Sequence, residues 1–299
     1  MKNNFLILAL AALLFTSSCE IINPSEDIPA YLNIETIDVE ASDAEGSSSQ
    51  KITDAWVYVD AEYIGVYPLP ARIPILEEGV KTVTIYPGIK LNGASSDRDI
   101  YPFYDFFEGD VEFAPSEDVT INPTVGYSDK SVFELIESFE NSTHVFSVDI
   151  DGDEVTSFST IASGGFEGGS AVATLSEGHF EVLAGTDYYT SIPEPNAVNG
   201  FTSFVEVNFK TDVNFKIGLV AYDQGDNLIY ISLDRTVVRT DEWNKVYFDM
   251  TTPFQEIAQS PGVKSYRVVL AAVLNSDPAS LDTMPEAKIY VDNIKFIRF

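Results

Sequence analysis

Strand-type alternation of apolar and polar residues, broken at short intervals by turn chemistry, is the feature that most restricts what this chain can become. The stretches YLNIETIDVEA (31–41), AWVYVDAEYIGVY (55–67), KTVTIYPGI (81–89) and VTINPTV (119–125) all carry it. A period of two is the pattern of a half-buried strand, not of a helix. SDAEGSSSQ, LPARIP, LEEG and LNGASSDRD separate these runs and supply turns. After GYSDKS (126–131) the pattern resumes in FVEVNFKTD, FKIGLVAYD and LIYISLD, with turn signals at 151–152, 224–227 and 240–242. A strand about every ten residues predicts a sandwich or jelly roll. The expected fold class is all-β: a small β-sandwich over 30–125 and a β-jelly-roll sandwich over 132–299. Apolar residues make up 45% of the 299 positions, enough to fill such cores.

The first nineteen residues are of another kind. Lys2 precedes an apolar run at 5–15, then come Thr16, Ser17, Ser18 and Cys19, the only cysteine. The run reads as a secretion signal and falls short of the roughly 20 residues a spanning helix needs. The segment resembles a bacterial lipoprotein signal, although Thr16 stands where that pattern usually has Leu. The resemblance implies a signal peptide at 1–18, cleavage before Cys19, a lipid on its thiol and a tether at 19–29. It further implies attachment to a membrane through that lipid, in the cell envelope at the outer membrane or cell surface. The acids after Cys19 are similar to surface-export signals of Bacteroidota lipoproteins.

Charge excludes several partners. With 47 Asp and Glu against 17 Lys and Arg, the net charge is −30. Nucleic acid is not expected to bind, because phosphate contacts need a basic surface. Charge-driven adhesion to anionic lipid is excluded for the same reason. Such a surface does attract cations.

Two further resemblances bear on function. DAWVYVDAEYIGVYPLPARIPILEEGVKTVTI (54–85) resembles the PEGA-type and carboxypeptidase-regulatory-like repeat, with Ala61 where the repeat commonly has Gly. Such modules are mostly spacers. SFE (138–140), FEGGSAVATL (166–175), DEWNKVYFDM (241–250) and YVDNIKFI (290–297) occur in the order seen in galactose-binding-like jelly rolls, which include many carbohydrate-binding modules. That resemblance implies a structural Ca²⁺ held by Glu140 and Asp292, with carbonyls near Gly168 and Gly169. It also implies that Trp243 packs into the sandwich.

Catalytic signatures are sparse. His144 and His179 are the only histidines, and there is no HExxH, nucleophile elbow, P-loop or dinucleotide fingerprint. VDIDGDEV places Asp149, Asp151, Asp153 and Glu154 together. It reads as a polar turn around Asp151-Gly152, with a calcium loop or a glycosidase carboxylate pair as alternatives. Tyr188 and Tyr189 lie in a long loop, and Tyr222 and Asn227 at another loop end, where ligand contacts tend to be placed. Anchoring of the loops is the competing role. The aromatic run YPFYDFF (101–107) suits either burial at an interdomain contact or an exposed partner site. The expected function is a non-catalytic, lipid-anchored envelope protein whose jelly roll binds an extracellular glycan. A scaffold lipoprotein and a glycan-cleaving jelly roll are the alternatives.

Overall fold

The structure is a computed structural model that describes residues 27–193, 201–274 and 285–299. The signal segment and Cys19 lie outside the described residues.

Ten strands come from residues 30–125: β1 (Ala30–Ile34), β2 (Asp38–Val39), β3 (Asp54–Val59), β4 (Glu62–Pro68), β5 (Ala71–Ile75), β6 (Gly79–Lys90), β7 (Arg98–Ile100), β8 (Phe107–Phe113), β9 (Asp118–Thr120) and β10 (Thr124–Val125). They form a sheet ordered β4-β3-β6-β7, with β8 also on β6, and two small sheets, β5-β1-β9 and β10-β2. The alternation in β3 sends Ala55, Val57 and Val59 inward and leaves Trp56 and Tyr58 on the outer face. The β3–β4 turn is Asp60-Ala61, and both residues have positive φ (47° and 65°). That is the two-residue hairpin geometry in which glycine is favoured. The Asp60 carboxylate holds the turn by accepting from Thr82 N at 3.0 Å and from Lys81 Nζ at 3.0 Å.

The C-terminal strands are β11 (Val132–Glu137), β12 (Val148–Asp149), β13 (Ser159–Ile161), β14 (Ser170–Ser176), β15 (Glu181–Gly185), β16 (Ser203–Thr211), β17 (Phe215–Tyr222), β18 (Leu228–Val237), β19 (Thr240–Asp249), β20 (Ser265–Val273) and β21 (Glu286–Arg298). One sheet runs β13-β14-β21-β16-β19, with β11 also on β21. The other runs β12-β15-β20-β17-β18. Their inner faces share a core that includes Val205, Val207, Phe215, Ile217, Val268, Leu270, Ile289 and Phe296. This is an all-β protein, a small sandwich followed by a jelly-roll sandwich.

Among the described residues one helix interrupts the strand rhythm, α1 (Thr251–Gln259). Pro253 sits in its first turn, where a missing N–H costs little. Phe254, Ile257 and Ala258 are buried on one side, and the Phe254 ring lies 5.5 Å from both Tyr266 and Phe296. α1 therefore closes one end of the jelly-roll core.

The two sandwiches share a second core. Phe204, Tyr247 and Ile297, on the outer face of the six-stranded sheet, pack with Tyr101, Phe103, Tyr104 and Tyr127. Tyr101 lies 4.8 Å from Tyr247 and 5.3 Å from Phe204. Tyr101, Phe103 and Tyr104 of the run at 101–107 are thus buried between the sandwiches, whereas Asp105 and Phe106 reach solvent.

Candidate functional site: the outer face of the five-stranded sheet

The N-terminal sandwich covers much of one outer face of the jelly roll. The opposite outer face, on the five-stranded sheet, is the candidate site. Alternation assigns its side chains. In β20, Tyr266, Val268, Leu270 and Ala272 enter the core, so Arg267, Val269, Ala271 and Val273 face out. In β17, Phe215, Ile217, Leu219 and Ala221 enter the core, so Lys216, Gly218, Val220 and Tyr222 face out. Register aligns Gly185 with Val269, and Val269 with Gly218. The middle of the face is a row of small residues that Ile150 and Leu233 cover, with Val269 0% and Val220 3% exposed, so solvent reaches the face at its two ends. Gly218 is required there, because a Cβ would stand 1.9 Å from Ser232 O on β18.

Aromatic and cationic groups converge at one end of this row. The Arg267 guanidinium lies 3.6 Å from the centroid of the Tyr188 ring and 5.7 Å from that of Tyr222. The two rings are 5.1 Å apart and nearly perpendicular. Arg267 is only 9% exposed and donates to Thr186 O, whereas Tyr188 is 40% exposed. The arginine thus backs a tyrosine that presents its ring to solvent. Burial pushes the Tyr222 phenol up, and Arg267 pulls against that shift. At the other end is a hollow of about 430 Å³, lined by Glu181, Asn214, Lys216, Leu233, Thr236 and Ala271 among others. Arg267 and Val273 are six residue steps apart along β20, about 20 Å.

The remaining residues singled out from the sequence fall elsewhere. Tyr189 is half-buried, stacks on Tyr266 at 5.4 Å and exchanges two main-chain hydrogen bonds with it, so it anchors the loop. Asn227 closes the turn after β17, donating from Nδ2 to both Asp223 carboxylate oxygens at 3.1 and 3.0 Å. Trp243 is not in the core as the resemblance implied. It lies half-buried beside Phe166 (6.2 Å) and Tyr290 (6.4 Å), and it shares the parity of Lys245 and Tyr247 on the outer face of the six-stranded sheet. The bulge between Phe209 and Thr211 shifts its partner strand there. Arg267 went unnoticed in the sequence. Its signal was a lone charge in the apolar run SYRVVLAAV at the parity of Val269 and Ala271.

The acids of VDIDGDEV hold a turn. Asp149 accepts from Gly152 N at 2.8 Å, and Asp151 accepts from Asp153 N and Leu183 N. Asp153 pairs with His179 Nδ1 at 2.7 Å, which draws its carboxyl below the usual range.

Glu140 and Asp292 meet the same loop. Glu140 Oε1 accepts from Gly169 N at 2.9 Å, and Asp292 Oδ2 accepts from Phe166 N at 3.0 Å and Glu167 N at 3.1 Å. Gly168 has φ +75°, and a Cβ there would stand 2.5 Å from Glu140 Oε1. Both carboxylates thus grip main-chain N–H groups of residues 166–169. Among the described residues no three His, Cys, Asp or Glu side chains form a metal-binding group.

No family model matches the sequence, and no curated protein matches it. The solved structures that it resembles do so only at low similarity. The xylan-binding CBM22-1 domain of Paenibacillus barcinonensis Xyn10C is 14% identical over 57% of this chain and 96% of that one, with TM-score 0.38. A carbohydrate-binding module of the β-sandwich superfamily is 13% identical over 91% and 99%, with TM-score 0.35. The active domain of bacteriophage CBA120 tailspike protein 4 is 10% identical over 50% of this chain, which spans only 18% of that domain, with TM-score 0.34. Likenesses this distant say nothing of a shared ligand.

Proposed function

We propose that this protein is a non-catalytic glycan-binding protein, attached to the cell envelope at the outer membrane or cell surface by lipid on Cys19. The outer face of the five-stranded sheet receives the glycan. The observation that carries this reading is the Tyr188–Arg267–Tyr222 cluster, in line with the hollow beside Lys216 and Glu181. An exposed tyrosine backed by a fixed arginine offers a stiff platform for the C–H face of a sugar ring, at low entropic cost. Glu181, Lys216, Asn214 and Thr236 supply acceptors and donors for hydroxyl groups. The net charge of −30 favours a neutral glycan over an anionic one.

Calcium belongs to the proposal as a structural ion. Glu140 and Asp292 are hard oxygen donors on either side of loop 166–169, the chemistry Ca²⁺ prefers. Bound there, the ion would take over carboxylate contacts that main-chain N–H groups now make.

Affinity gel electrophoresis of the full chain in soluble xylan, galactan or β-glucan tests the binding reading. Wild type is retarded by at least one polymer. Tyr188→Ala and Lys216→Ala, both exposed positions, each weaken retardation at least tenfold with the melting temperature unchanged, and Asn227→Ala has no effect. Retardation untouched by the first two substitutions overturns the sheet face as the site. No retardation by any polymer shifts the reading to an accessory protein that contacts other envelope proteins.

A further inference from the structure

A second concave site lies on the far side of the jelly roll from the five-stranded sheet's open face. It is a hollow of about 480 Å³ at the seam between the sandwiches, lined by Tyr86, Pro102, Asp105, Phe106, Asp129 and Lys130 among others. Its size falls within the range of about 300–1,000 Å³ typical of ligand sites, and domain interfaces are a common place for them.

Its walls are preformed. Tyr86 and Phe106 stand 4.9 Å apart with their planes at 39°. Phe106 is 47% exposed, unlike its neighbours Tyr101, Phe103 and Tyr104, which the shared core buries. The backbone behind it is pinned by Asp105 N to Gly126 O at 2.9 Å and Ser128 N to Phe103 O at 2.8 Å.

The Tyr101 and Tyr104 hydroxyls that border the hollow are committed to Glu206 and Tyr247, but its charged groups are not. Among the described residues the side chains of Asp105, Asp129 and Lys130 have no hydrogen-bond or ion-pair partner, although all three line the same hollow. Two acceptors and one donor beside an aromatic wall match the hydroxyl pattern and C–H face of a pyranose ring. Two carboxylates against one ammonium leave the hollow net negative, which disfavours an anionic glycan and favours a neutral one.

The wall also continues. Tyr86 lies 5.7 Å from Tyr58, Tyr58 lies 5.3 Å from Tyr63, and Tyr63 lies 6.2 Å from Trp56, all on the outer face of the sheet containing β3 and β6. A row of partly exposed rings leading out of the hollow suits a chain of sugar units.

We propose that this seam hollow and its aromatic row form a second binding site for a neutral glycan chain. The N-terminal sandwich is then a binding module in its own right, not a spacer. Two sites on one chain raise avidity for a long polymer wherever both can be engaged at once.

The test compares the full wild-type chain, Tyr188→Ala/Lys216→Ala and Phe106→Ala/Asp129→Asn in gels containing soluble xylan, galactan or β-glucan. All the substituted positions are exposed, and melting curves check that each variant folds. The proposal expects the seam variant to lose at least tenfold in retardation and the sheet-face variant to keep a measurable residue. Complete loss in the sheet-face variant, or a seam variant equal to wild type, overturns it. Loss in the seam variant alone supports it and removes the sheet face as a site. No retardation of wild type overturns both. Sedimentation provides a second reading: a dimer abolished by Phe106→Ala would mean that a second copy of the chain fills the hollow, which also overturns the sugar site.

Discussion

Glu206 Oε2 lies 2.6 Å from Lys245 Nζ, with side-chain exposures of 0% and 2%. The pair sits on the outer face of the six-stranded sheet, where the N-terminal sandwich seals it. Tyr101 and Tyr127 donate their hydroxyls to Glu206 Oε1 at 2.7 and 3.0 Å. Lys245 also donates to Ser49 O, and Lys295 to Ser47 O and the Tyr127 hydroxyl. Burial alone would push the Glu206 carboxyl up, but Lys245, Lys295 and the hydrogen bonds around it hold it below its usual range. The network is satisfied only when the two sandwiches are docked, so the pair ties their folding together.

Removing one partner leaves the other buried and unpaired. Glu206→Ala is expected to cost about 3–5 kcal/mol. The double change Glu206→Met/Lys245→Met should cost less than Glu206→Ala alone, because it leaves one buried ammonium, Lys295, without its counter-charge where the single change leaves two. Denaturant melts of the single and double variants measure this, and equal losses would mean that the pair is not coupled.

The same cluster sets a response to pH. Burial lowers the Lys295 ammonium to about 8 from its ordinary 10.5. Between these values the unfolded chain binds the extra proton, so stability rises with pH from about 8 toward 10. Tyr101, Tyr104 and Tyr127 act in the opposite sense. Burial and the nearby Glu206 charge raise them well above 10, so the unfolded chain loses protons first and stability falls above pH 10. Melting temperature against pH should therefore peak between about 9 and 10. Lys295→Met should flatten the rising limb and leave the fall intact, and a rising limb that persists in that variant would rule Lys295 out as its source.

Turn chemistry offers a stabilising change. Ala61 has φ 65°, a left-handed conformation that costs a residue with a Cβ about 1 kcal/mol or more. Ala61→Gly should stabilise the protein by about 1 kcal/mol, less whatever extra entropy glycine gives the unfolded chain. That corresponds to a rise of about 2–4 °C in a melting scan. A lower midpoint would mean that the turn does not hold this φ in solution.

Alternation in the sequence told which residues share a face, and that was enough to predict an all-β fold; the Asp151-Gly152 pair told of the turn, but not that the strands on its two sides join different sheets. It could not tell what covers a face. In FVEVNFK the polar set Glu206 and Asn208 has the pattern of a solvated face, yet both are buried, Glu206 under Tyr101 and Tyr127 and Asn208 against Ser49. Trp243 was misplaced for the same reason: parity puts it with Lys245, and only the tertiary fold decides which side is the core. α1 escaped notice because nine residues give barely two helical turns of pattern. Tyr188 and Tyr222 were legible as loop-end aromatics. Their meeting with Arg267 was not, since three separate strand ends create it.

Calcium at loop 166–169 makes the last prediction. If the ion binds Glu140 and Asp292 in the native state alone, millimolar calcium raises stability by mass action, about 2.7 kcal/mol at one hundred times the dissociation constant. Chelator reverses the gain. Glu140→Gln separates this from simple pinning of the loop, because the amide oxygen can still accept from Gly169 N while the charge that a cation needs is gone. The variant should therefore melt near the chelated wild type and ignore added calcium. A wild-type midpoint that is the same in calcium and in chelator would leave the two carboxylates as hydrogen-bond anchors of a glycine loop and nothing more.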